Sequence, residues 1–264
     1  MLESTAVNLL DSTLFAGAVA DRRFWLALAI SALAGLVRGF SGFGSALIYM
    51  PLVAAVYEPR VAAVTLLLID TVSTAPFTVR SFALCTWREV APIYVASAIA
   101  IPFGTMALVV LDPTVLRWFM AFLVLSLLAV LMAGWRYRGR PKLPLTIGVG
   151  LFSGFGSGAV QIAGPPVIIY WLGTASNAVT MRGNLLVYFL LMDVTVCIVY
   201  ALQGLFTAEL VALALLLAIP FFVATAAGAY LFHGTSDLTY RRIAYVIIAL
   251  AALASLPLLD PWLR

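Results

Sequence analysis

A chain of 264 residues that is 64% hydrophobic and only 10% charged is not a water-soluble domain, which would carry about a quarter charged residues. Its surface would remain apolar, so the medium it is built for is a lipid bilayer. The net charge of +4, from 15 Lys and Arg against 11 Asp and Glu, then carries orientation information and gives no ground for a nucleic-acid partner.

A spanning helix needs about 20 mainly apolar residues, which leaves room for roughly eight. After an N-terminal extension, 1–23, apolar segments run over 24–57, 61–83, 90–111, 115–135, 144–172, 179–202, 208–231 and 241–259. The extension is not read as a signal peptide: it has no early basic region, and Asp11 interrupts its apolar run. A basic joint, 136–143, carries Arg136, Arg138, Arg140 and Lys142 with no acid and is expected on the cytoplasmic side. It separates a first repeat, 24–135, from a second, 144–264. The expected fold is therefore an all-α integral membrane protein of two homologous halves, four hydrophobic segments each. Trp87, Trp118, Trp135, Trp171 and Trp262 lie near segment ends, as interfacial belts require.

Two segments have the wrong length. Residues 24–57 number 34, roughly 51 Å of straight helix at about 1.5 Å per residue, against a hydrocarbon core about 30 Å thick. That is too long for one crossing and too short for two. Segment 144–172 has the same problem. Each contains the hexapeptide Phe-Ser-Gly-Phe-Gly-Ser, at Phe40–Ser45 and Phe152–Ser157, and a proline follows each copy, Pro51 in the first half and Pro165 in the second. The expectation is a break at the hexapeptide, with arms of about half a bilayer. If each segment crosses once, the repeats are parallel; if each is a re-entrant hairpin, they are inverted. With Arg38 left out because it lies within a segment, positive charges split nine against five either way, and the length argument favours inverted repeats.

Unwound backbone at membrane depth is tolerated where it is buried in protein or lines a cavity. A half-helix start there presents N–H groups and a positive dipole end, which attracts an anion. Paired breaks in two repeats point to a transporter site. The candidate binding residues in the breaks are Arg38, Ser41, Gly42, Gly44 and Ser45 in the first half, and Ser153, Gly154, Gly156, Ser157 and Gln161 in the second. Arg182 and Asn184 begin the core of the sixth segment and could reach a ligand. The competing reading is that the small residues only let helices pack closely. Asp70 and Asp193 are intramembrane acids, each a proton carrier or a structural partner of a cation.

The residues Gly35-Leu36-Val37-Arg38-Gly39-Phe40-Ser41-Gly42-Phe43-Gly44-Ser45 with Pro51, and Gly148-Val149-Gly150-Leu151-Phe152-Ser153-Gly154-Phe155-Gly156-Ser157-Gly158 with Pro165, resemble the TauE/SafE family of sulfite and organosulfur-anion exporters. The resemblance covers nearly the whole chain. It implies export of a small anion, such as sulfite or sulfoacetate, from a multi-pass protein of a bacterial inner membrane. A homodimer is one assembly open to it.

Two rival functions stand beside a carrier working by alternating access. An anion channel would use the breaks as a constriction. An intramembrane enzyme would need Asp70 and Asp193 as its catalytic pair, and neither lies in a catalytic motif. No metal site or cofactor is expected: His233 is the sole histidine, and Cys85 and Cys197 have no paired spacing.

Overall fold

The computed structural model describes residues 19–41, 44–133, 142–173, 178–231 and 237–259. Gly42, most of the basic joint and the side chain of Ser41 lie outside what is described. All regular structure among the described residues is helical. The helices are α1 (Arg22–Ser41), α2 (Ser45–Val56), α3 (Pro59–Thr78), α4 (Trp87–Val110), α5 (Pro113–Met132), α6 (Leu143–Val160), α7 (Gly164–Gly173), α8 (Ala178–Leu202), α9 (Ala208–Leu231) and α10 (Asp237–Ala254). A 3-10 turn, Val79–Leu84, joins α3 to α4. Among the described residues, five helices, namely α4, α5, α6, α8 and α9, are long and apolar enough to cross a membrane. Among the described residues, each half yields five α-helices where the sequence has four apolar segments, because its long segment is split.

The chain divides into two compact units. One comprises Met1–Ile69, Asp112–Val124 and Gln203–Arg264; the other comprises Asp70–Leu111 and Leu125–Leu202. Each unit draws on both halves of the sequence, and each is organised round a pair of helices joined by a seam of small residues.

In the first unit α1 packs on α9. A Cβ added to Gly35 would fall within 3.0 Å of Phe221 backbone, and one on Gly39 would do the same at Thr225 and Ala229. Gly228 of α9 approaches Leu36 in return. Hydroxyls reinforce the seam: Ser31 Oγ donates to the Leu217 carbonyl at 2.7 Å, and Thr225 Oγ1 to Gly35 O at 3.1 Å. Positions 31, 35 and 39 thus meet 217, 221 and 225 in rising order, so the two helices are parallel.

In the second unit α6 packs on α4 in the same manner. Gly150, Gly154 and Gly158 lie against the backbone of Ile93, Ser97 and Ile101, and Gly104 against Phe155. The order again rises on both helices. Small residues at four-residue spacing allow this approach, which in lipid supplies the van der Waals contact and weak hydrogen bonding that the hydrophobic effect does not.

Both long segments fold back on themselves. Ser153 of α6 bonds Ala163, and Thr146 bonds Tyr170 at 2.6 Å. Each pair sums to 316 (153 + 163, 146 + 170), which is the signature of an antiparallel return. α7 therefore runs back towards the start of α6. In the first unit α2 packs against α1, and Tyr57 at its end lies within electrostatic reach of Asp21 and Arg23 beside the start of α1. The expectation of half-bilayer arms is corrected in detail. α1 has 20 residues against 12 in α2, and α6 has 18 against 10 in α7. One arm is nearly a full span and the other about half.

The second break is also not where the hexapeptide suggested. α1 ends at Ser41 and α2 begins at Ser45, so the first break falls inside the first copy. Phe152–Ser157 is helical throughout, and the second break is at 161–163. Helix ends and seam contacts correspond at a spacing of 119 residues: 41 to 160, 45 to 164, 35 to 154 and 39 to 158. The hexapeptide copies are 112 apart (152 − 40). Their difference, seven residues, is about two helical turns.

A buried arginine closes the end of α10. Arg117, 3% exposed, donates through Nε and Nη2 to the Ser255 carbonyl at 3.2 and 2.9 Å. A cation there answers the negative end of the helix dipole. Arg117→Leu should cost about 1–3 kcal/mol, the penalty of a buried carbonyl stripped of its donors. Thermal unfolding of the purified protein would read this, with Arg117→Lys recovering part of the loss.

Candidate functional site

The tip of the first hairpin gathers three of the expected residues. Gly44, at φ 96° and ψ −4°, is left-handed, a conformation glycine adopts without penalty. It turns the chain so that α2 starts at Ser45, where the first N–H groups have no intrahelical acceptor. The Gly44 carbonyl accepts Leu47 N–H at 3.1 Å. Ser45 is buried, 2% exposed, and its Oγ accepts a hydrogen bond from Arg38 Nη1 at 3.1 Å. The Arg38 guanidinium also lies 6.0 Å from the centroid of the Phe221 ring of α9. A half-buried cation, an aromatic face and the positive end of α2 thus share one corner.

The second hairpin tip is built from hydroxyls. Ser153, fully buried, donates to the Ala163 carbonyl at 2.6 Å and accepts from Tyr188 Oη at 2.9 Å. Tyr188 in turn lies 2.8 Å from Ser97 Oγ, which also lies 2.9 Å from the Gly150 carbonyl. Gln161 takes φ 55°, rare for a residue with a side chain, and its N–H closes α6 on the Gly156 and Ser157 carbonyls. Ile162 N–H adds a bond to Gly156 O at 3.1 Å. Gln161 Nε2 donates to Tyr200 Oη at 3.3 Å, and Tyr200 donates to Gly158 O at 2.9 Å.

The remaining expected residues lie elsewhere. Gly154 faces Ser97 in the α4–α6 seam, in the packing role that competed with the binding one. Asn184 is fully buried at the start of α8; its Oδ1 accepts Thr86 N–H at 2.8 Å and its Nδ2 donates to Glu89 at 2.7 Å. Arg182 is exposed nearby. Asp70 and Asp193 are half-buried in α3 and α8. No cluster among the described residues could hold a metal ion.

Sequence reasoning missed Ser97, Tyr188 and Tyr200, which lock the second hairpin. Nothing marks these tyrosines in the sequence. Ser97 could have been sought through its partner face, since Gly150, Gly154 and Gly158 recur every four residues.

Comparison with known proteins adds one result. A family model described as Sulfite exporter TauE/SafE matches residues 27–255, which includes both seams, the second hairpin and all of the first but the opening turn of α1. No curated protein and no solved structure matches the chain.

Proposed function

The chain belongs to the sulfite exporter TauE/SafE family, and from that premise we propose that it exports a small sulfur oxyanion, sulfite or an organosulfonate such as sulfoacetate, by alternating access. The observation that carries the proposal is the corner at the first hairpin tip. There a guanidinium, a serine hydroxyl and a helix start are arranged to meet negative charge.

The folding back of both long segments supports inverted repeats. A hairpin returns the chain to its side of entry, so each half makes three net crossings (α3, α4, α5 and α8, α9, α10), and an odd number inverts the second half. The parallel pairs α1–α9 and α4–α6 agree with that count. Asp70 and Asp193 remain candidates for a coupling proton or for structural charge.

The experiment is counterflow. Proteoliposomes loaded with unlabelled sulfite should accumulate radiolabelled sulfite transiently, with saturable rates and competition by sulfoacetate. An anion channel gives no such overshoot, so linear flux without counterflow would overturn the carrier reading.

A further inference from the structure

A cavity of about 300 Å³ opens at the base of the second hairpin, away from its tip. It is lined by Arg88, Glu89 and Pro92 of α4, by Leu143 and Thr146 of α6, and by Tyr170 and Trp171 of α7. That volume is at the small end of ligand sites. It suits a compact ion better than a drug-sized molecule.

The polar groups of this cavity are already sorted. Glu89 is held by Asn184 at 2.7 Å. The Thr146 and Tyr170 hydroxyls are 2.6 Å apart, and Trp171 is 1% exposed and stacked edge-on against Tyr188. Arg88 differs from them in being exposed. Lys142 directly precedes α6 and is also exposed, and by chain connectivity it continues the basic run Arg136, Arg138 and Arg140. Because α4 and α6 are parallel, both begin on this side. It is the side that the positive charges mark as cytoplasmic, where an exporter takes up its cargo.

We propose that this cavity is a loading site for the exported oxyanion, with Arg88 as its capturing cation. The inference rests on the export reading above. Arg88 and the adjacent Lys142 together outweigh the Glu89 carboxylate that also lines the cavity, and net positive charge at a recessed mouth raises the local concentration of an anion before it moves inward. Loss of that charge should therefore weaken capture more than turnover.

In proteoliposomes of phosphatidylcholine alone, Arg88→Gln should raise the KM for sulfite about tenfold while Vmax falls less than twofold, with Arg88→Lys between it and the parent. Purified Arg38→Gln should still bind radiolabelled sulfite saturably, and adding Arg88→Gln should abolish that binding. If the parent protein transports sulfite but Arg88→Gln leaves both KM and this binding unchanged, the loading site is refuted and the export reading stands. If the parent moves no anion at all, the export reading fails first. A phospholipid headgroup offers the same oxyanion chemistry. Should added phosphatidylglycerol raise the KM of the parent while leaving Arg88→Gln unaffected, with no sulfite binding by Arg38→Gln, the cavity holds lipid and the proposal is overturned.

Discussion

Gly39→Ala and Gly154→Ala should each lower the unfolding temperature by roughly 6–12 °C, the equivalent of about 3 kcal/mol in a chain of this size, whereas Gly148→Ala should leave it unchanged. The added methyl at Gly39 lands within 3.0 Å of Thr225 and Ala229 backbone, and at Gly154 within 3.0 Å of Ser97 backbone; at Gly148 nothing lies within 4 Å. A flexible side chain could swing aside, but a carbonyl in a helix cannot. The helices must separate, and separation removes dispersion contacts along the whole seam, because a gap of even 1 Å forfeits much of each contact's attraction. The hydroxyl bridges that depend on close approach go too: Thr225 to Gly35 O at 3.1 Å in one unit, and Ser97 to Gly150 O at 2.9 Å in the other. Size-exclusion profiles and thermal unfolding of the three variants would check this. Equal stability of all three would show that the seams are looser than their geometry implies.

The seams also explain where the sequence could be read and where it misled. Segment lengths alone located both hairpins, since 34 apolar residues fit neither one crossing nor two. The position of the second break was not legible, because glycine in a membrane helix has two uses and the sequence does not separate them. In Phe40–Ser45, Gly44 lies just past the end of a helix and is left-handed at φ 96°. In Phe152–Ser157, Gly154 sits in a continuous helix and faces a neighbour. A slip of seven residues moves a side chain only about 20° round an α-helix. The identical hexapeptides therefore present nearly the same face although they lie two turns apart in structural register. Side-chain partners across the fold, such as Tyr188 on Ser153 or Asn184 on Glu89, depend on how distant helices meet. No local pattern records that.

Arg38→Gln should reduce sulfite transport roughly 10–100-fold, the range that follows from losing a hydrogen bond to a charged group worth about 1.5–3 kcal/mol, with little change in unfolding temperature. Arg38 is half-buried in the last turn of α1, where the dipole of α1 already favours a cation. Its guanidinium reaches across the hairpin tip to Ser45 at 3.1 Å. An anion arriving at the start of α2 would meet that same charge together with the Ser45 hydroxyl. Ser45→Ala should accordingly cost less than Arg38→Gln, because it removes a neutral donor and leaves the charge. Arg38→Lys should recover only part of the rate, since an ammonium keeps the charge but lacks the planar fork that holds an oxyanion by two bonds. Measured together in proteoliposomes, the three variants separate a binding role from a structural one. A structural role predicts that transport falls in proportion to folded protein and that Lys restores both. A binding role predicts folded protein throughout and a rate ordered parent, Ser45→Ala, Arg38→Lys, Arg38→Gln. Transport by Arg38→Gln at the parental rate would remove the first hairpin tip as the anion site, whatever the second contributes.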